Sequence, residues 1–342
     1  MERVASWQAS ARSSQRLRRM VAAGLVCVAW AAWDSAQAQS AQFAAGYPNK
    51  PIKVIVPTTP GNGQDIISRL VASRASERLG QQMVVENRPG AGAIVGVTAL
   101  KNAAPDGYTL GLLTSANTIQ PSLMKSMPFD LRRDFTPLTM SYTVPLMMVV
   151  PANFPHRTLA EYVQSMRGAA NPAFFGTTGL GTTGHLLGEW FKQRANIPLT
   201  AVHFKGVPEA ATAMVGGNVA MVFSDYTGIQ SVVESGRARV LAVGSKERMR
   251  QLPNVPTFHD TYPGMEVIGW TGFAGPAGLP GDIAERLATA LRAALALPEV
   301  RKQISDTGVE PAGNSPAEFA NVIATDIRKW AEVVQAAGIK AE

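Results

Sequence analysis

Three glycine-rich loops, each placed between a strand-like run and a helix-like run, constrain this sequence more than any other feature. Pro51-Ile-Lys-Val-Ile-Val-Pro57 reads as a strand, and Thr58 to Gln64 as a polar turn. From Asp65 the apolar positions Ile66, Ile67, Leu70, Val71 and Leu79 recur at helical spacing as far as Gly80. Met83 to Glu86 is a second strand, which Asn87-Arg-Pro-Gly-Ala-Gly92 leads into a helix from about Ala93 to Asn102. A turn at Asp106-Gly107 precedes a strand over 108–113. The same grammar returns with a strand over 173–175, the loop Gly176 to Gly184 and a helix from His185 to about Arg194. Strands over 200–204, 219–223 and 240–243 follow, with helices opening at Pro208 and near Gly228. Such alternation predicts an α/β fold of two lobes, each a mostly parallel sheet flanked by helices, with a ligand cleft between the lobes.

The C-terminal part is helical, with an amphipathic run from Asp282 to Leu297. A capping box at Ser315-Pro-Ala-Glu318 starts a last helix that runs to about Ala337. Pro145 to Pro151 and Met265 to Pro276 are the expected connections between lobes. Lobe one is then 47–148 plus 268–342, and lobe two is 149–267.

Residues 1–38 differ in kind. Arg12, Arg16, Arg18 and Arg19 precede an apolar stretch from Met20 to Ala32, followed by Ala36-Gln37-Ala38. A basic start, a short apolar core and an A-x-A site predict an export signal cleaved after Ala38, and so a periplasmic protein. Arg18-Arg19 leaves the Sec and twin-arginine routes both open. The single cysteine, Cys27, lies inside this segment. Cleavage would remove it, which excludes a disulfide scaffold, a thiolate metal site and a cysteine nucleophile.

Of the formal net charge of +7, the leader holds +3 (five Lys/Arg against two Asp/Glu), leaving +4 for the exported chain. No basic run is interleaved with aromatics, so nucleic acid is not an expected partner. His156, His185, His203 and His259 show no i,i+4 pair and no HExxH, and no Gly-x-Ser-x-Gly elbow occurs. No metal site and no catalysis are expected. Gly179-Leu-Gly181-Thr-Thr-Gly184 matches G-x-G-x-x-G, but His203-Phe204-Lys205 stands where a dinucleotide site needs an acid. An exported NAD(P)-dependent oxidoreductase is thus the weaker reading, and no cofactor is expected.

Each glycine loop opens a helix at the carboxyl end of a strand, where unpaired N–H groups present positive charge to an anion. One such loop is an ordinary turn. Three, divided between two lobes, point to a shared site for a small organic anion. Asp65 has two readings, a helix cap or a ligand contact. His185 either donates to a ligand or closes its helix end. Asp225 either caps the next helix or meets a cation or hydroxyl of a ligand. Trp270, near a connection, borders either the core or the cleft.

Tyr47-Pro-x-Lys-Pro-Ile, Pro60-Gly-x-Gly-x-Asp65, Val85-Glu-Asn-Arg-Pro-Gly-Ala-Gly92 and Ala104-Pro-Asp-Gly-Tyr-Thr109 follow one another in order. Gly179-x-Gly-Thr182 with His185-Leu186, Lys205-Gly206 and Leu252-Pro-Asn-Val-Pro256 continue the series. Together they resemble the Bug-type receptors of tripartite tricarboxylate transporters across the whole exported chain. The resemblance implies a two-lobed, monomeric periplasmic receptor that closes on a small carboxylate. The carboxylate would be a dicarboxylate, a tricarboxylate, an acidic amino acid or an aromatic acid. It also implies a membrane permease as partner, or else a sensor kinase if the same pocket serves sensing. The carboxylate loops of the family match Thr58, Thr59, Gly61, Asn62, Gly63 and Asp65, with Ala91 and Gly92, and Thr114 and Ser115 match another cleft segment. From lobe two the pattern implies Thr177, Gly181, Thr182, His185, Lys205 and Asp225. Three departures stand out: Asn62 replaces a loop glycine and is expected to narrow the site, Ala220 replaces a frequent aspartate, and Phe204 replaces a tyrosine.

Overall fold

The computed structural model describes residues 46–339. The leader, its cleavage point and Cys27 lie outside the described residues. Described here is the compact unit that begins at Lys50.

Its first half runs β1 (Ile52–Val56), α1 (Gly63–Leu79), β2 (Met83–Asn87), a single 3-10 turn (Ala91–Ala93), α2 (Ile94–Lys101), β3 (Thr109–Thr114) and α3 (Ser115–Leu123). Then come β4 (Phe135–Pro145), β5 (Met147–Pro151), α4 (Leu159–Met166), β6 (Ala173–Thr177), α5 (Thr183–Ala195) and β7 (Leu199–His203). Next are α6 (Val207–Val215), β8 (Met221–Ser224), α7 (Tyr226–Glu234), β9 (Ala238–Val243) and α8 (Phe258–Thr261). The chain ends with β10 (Ile268–Pro276), α9 (Gly281–Ala296), α10 (Pro298–Asp306), β11 (Glu310–Pro311) and α11 (Pro316–Ala336).

The strands form two sheets, in the orders β11-β4-β10-β3-β1-β2 and β7-β6-β8-β5-β9. Both are mixed, which corrects the expectation of mostly parallel sheets. β1 pairs in parallel with β2 and β3, and β6 with β7 and β8, as the loop-helix crossovers require. The antiparallel pairs are β3 with β10, β4 with β10 and with β11, and β5 with β8 and with β9; β4–β10 and β5–β9 are those formed by the strands that cross between the lobes. The cause is the double passage between lobes. A strand leaving a sheet and the strand returning to it run in opposite directions, so side by side they must pair antiparallel.

At the crossing the backbone is tightly tied. Leu146 N donates to Val267 O at 3.0 Å, Gly244 N to Leu146 O at 2.6 Å, and Val267 N to Gly244 O at 2.9 Å. The second sheet is buried on both faces, with Phe175, Phe191 and Phe223 on one side and Met214, Val222 and Ile229 on the other. α11 serves both lobes. Phe319 and Ile323 pack with Leu113 and Trp270 of the first, whereas Trp330, Val333 and Val334 join the Phe175 cluster of the second.

Candidate functional site

The helices that follow β1, β3, β6 and β8 all begin at one cavity of about 400 Å³ between the two sheets. Each start is fixed by a polar side chain. Asn62 Oδ1 accepts from Asp65 N (3.1 Å), and Asn117 Oδ1 accepts from Thr114 N (2.9 Å). Thr182 Oγ1 accepts from His185 N (3.3 Å), and Asp225 Oδ1 from Gly228 N (2.9 Å). Capping by Asn62, Thr182 and Asp225 occupies the third amide of α1, α5 and α7 and leaves the first two without an acceptor inside the helix. In α3, too, the first two amides have no acceptor inside the helix. These amides of Ser115 and Ala116, with those of Gly63 and Gln64 in α1 and Thr183 and Gly184 in α5, belong to residues in the cavity wall. Three helix starts thus turn partial positive charge on one small volume.

The rest of the wall is hydroxyl-rich and contains no Lys, Arg or His; Asp225 is its only formally charged residue. Tyr142 and Thr271 come from the crossing strands β4 and β10, and Trp270 stands beside them. Burial pushes the Tyr142 hydroxyl up to about 12, with a hydrogen bond to Thr271 opposing and the Asp225 charge adding, so it remains a donor at neutral pH. Trp270 Nε1 is spoken for, donating to Asp326 Oδ2 at 2.6 Å. Ser224 Oγ and Gln64 Oε1, in contrast, are buried in the wall with no protein partner. A buried polar atom without a partner costs about 1–3 kcal/mol, so each calls for a water or a ligand atom.

An adjoining cavity of about 410 Å³ shares Asn62, Gln64, Thr114 and Ala116 with the first and extends to Thr58, Thr59, Ala91 and Gly92. Its rim is strained, since Ala91 and Ala93 hold φ of 45° and 80°, a region L-residues rarely occupy.

Of the expected site residues, Asn62, Gly63, Thr114, Ser115, Thr182 and Asp225 line the main cavity. Thr58, Thr59, Ala91 and Gly92 line the adjoining one. Gly61, Asp65, Thr177, Gly181, His185 and Lys205 line neither, and most of them hold the loops in shape. Asp65 Oδ2 accepts from Gly61 N (2.9 Å), while its Oδ1 accepts from Arg69 (3.0 Å) and Asn87 (2.9 Å). Burial would raise that carboxyl, but these hydrogen bonds hold it below the usual range. Asn87 Nδ2 also donates to Thr58 O at 3.0 Å, so the Glu-Asn-Arg motif fastens the first loop to β2.

His185 does equivalent work in lobe two. Its Nδ1 accepts from Gly181 N at 3.1 Å, which places the ring proton of the neutral form on Nε2. Burial, then His203 and Lys192, bring the ring down to about 4, so it is neutral at pH 7. Thr177 and Thr182 hydroxyls meet at 3.0 Å beneath the same loop. Lys205 is exposed, and its amide donates to Glu209.

Sequence reasoning passed over Tyr142, Ser224 and Thr271, and gave Gln64 only as the end of the loop from Thr58. Ser224 and Gln64 adjoin residues that were singled out. Tyr142 and Thr271 carried no local signal, because only the pairing of two distant strands brings them to the cavity.

A family model described as "Tripartite tricarboxylate transporter family receptor" matches residues 67–339. Protein BugT of Bordetella pertussis is 32% identical over 297 residues, covering 86% of this chain and 91% of that protein. Among solved structures, R. palustris Rpa4515 with adipate has 30% identity and a TM-score of 0.73, covering 86% of this chain and 100% of its own. Periplasmic binding protein BugD has 28% identity and a TM-score of 0.70 with the same coverage.

Proposed function

Because this chain belongs to the tripartite tricarboxylate transporter receptor family, we propose that it is an exported solute receptor whose two lobes close on a small organic carboxylate. The single observation that carries this reading is the convergence of three helix starts, with their first two amides free, on a wall without basic side chains. Such a site prefers an anion by fixed dipoles and hydroxyls and not by a basic side chain. The adipate seen with one relative supports a carboxylate as the anion. Delivery to a membrane permease, and a periplasmic location, follow the same family reading. Binding itself is the proposed activity.

A thermal-shift screen of residues 39–342 against mono-, di- and tricarboxylates, amino acids and aromatic acids tests this. A ligand present at about 100 times its Kd adds roughly 2.7 kcal/mol, which raises Tm by a few degrees in a chain of this size. NAD(P) serves as the contrasting probe. A shift by NAD(P), with none from any carboxylate, would overturn the receptor reading.

A further inference from the structure

The cavity is asymmetric in charge, and the asymmetry bears on what enters it. Its lobe-one wall offers the free amides of α1 and α3, a positive end. Its lobe-two wall carries the α5 amides and, apart from them, Asp225, the one formal charge on the lining. One oxygen of Asp225 caps α7 through Gly228 N (2.9 Å), and its charge offsets the positive end of that helix. Beside it lies Ser224, only 4% exposed, whose Oγ has no partner in the protein. The Tyr142 hydroxyl is close enough to Asp225 to feel its charge.

We infer, resting on the receptor reading above, that the ligand carries one carboxylate and a protonated amine. The carboxylate meets the α1 and α3 amides, and the ammonium meets Asp225 and Ser224. A second carboxylate beside Asp225 would place like charges together, with no Lys, Arg or His in the wall to offset them. An ammonium reverses the sign of that interaction and supplies a proton for the unpartnered Ser224 Oγ. Asp225 as a mere cap does not predict this preference, because Asn caps equally well without a charge.

The test titrates the purified protein calorimetrically with matched four- to six-carbon series. Each series contains α- and ω-amino monocarboxylic acids, the plain monocarboxylate and the α,ω-dicarboxylate. The expected result is that an amino acid binds tightest, that D225N weakens it about tenfold or more, and that the same change leaves dicarboxylate binding equal or stronger. S224A should weaken the same amino acid while leaving Tm of the free protein nearly unchanged. An unaltered Tm for D225N shows that the cap and fold survive. If a dicarboxylate binds the unaltered protein more tightly than its matched amino acids, the charge assignment is overturned and the receptor reading stands. Amino-acid binding that is indifferent to D225N overturns it too. If no carboxylate in any series binds, the charge assignment is overturned, while the receptor reading is decided by the wider thermal-shift screen.

Discussion

Asn62 has two tasks on one side chain. Its Oδ1 takes the Asp65 amide and the Thr58 hydroxyl, fixing the start of α1, and the residue lines both cavities. The tasks separate by substitution. N62A should cost about 1 kcal/mol of stability and N62G only a few tenths, because glycine is a tolerated cap. Both remove the amide from the cavity, so both should alter ligand preference in the calorimetric series. Equal stability losses, or an unaltered preference, would contradict this division. His185 shows a residue acting through another. Since its neutral form is favoured by folding, the unfolded chain binds the extra proton between pH 6.5 and 4, and stability falls as pH drops through that window. Urea unfolding at pH 7 and pH 4.5 should therefore show a smaller acid loss in H185Q, by on the order of 2 kcal/mol. An identical loss in both proteins would place the proton elsewhere. Sequence alone left this residue open between ligand donor and helix closure. The deciding fact, an Nδ1 already used by Gly181 N, depends on a backbone turn that no side-chain pattern reports.

At the scale of elements, α5 reaches the cavity because Gly184 lets it sit against β8. A Cβ there would lie 2.4 Å from the Phe223 carbonyl oxygen, a backbone atom that cannot swing aside. G184A should thus lift the helix start, cost about 1–3 kcal/mol and weaken carboxylate binding, read by thermal unfolding and titration together. Retained affinity would mean that the α5 amides take no part. The glycine loops and the helices behind them were legible from punctuation and period, since both are local signals. β4, α3 and α10 were not read from the sequence. β4 carries Pro137 and several threonines without clean alternation, and it is held by β10 from more than 120 residues away. α3 contains Pro121 and polar residues, and packing against α11 overrides that weak propensity. The mixed sheets escaped for the same reason: strand direction follows from the double crossing, which is a property of topology.

For the whole molecule, the proposed closure of the lobes has to pass through three tethers, the two crossing segments and α11. The crossing segments meet at Gly244, where a Cβ would stand 2.6 Å from Val267 O and 2.8 Å from Leu146 O, one on each segment. A methyl group there pries the two crossings apart and, through Leu146, also reaches the edge of the cavity wall. α11 meanwhile holds Trp330 in the lobe-two core and Phe319 in the lobe-one core, so it limits the motion to bending about the crossing. Ligand binding should then lower the radius of gyration measured by small-angle scattering. It should also change the fluorescence of Trp270, which lies in the cavity wall beside the crossing. W270F should remove most of that optical change without removing the scattering change. G244A should reduce both and weaken binding about tenfold, because a closed state that is harder to reach lowers apparent affinity in proportion. If G244A binds and compacts like the unaltered protein, the pivot lies elsewhere. If the unaltered protein binds a carboxylate with no change in radius of gyration, the lobes are already closed around an open mouth. Affinity would then come from preformed helix starts alone, without a contribution from motion.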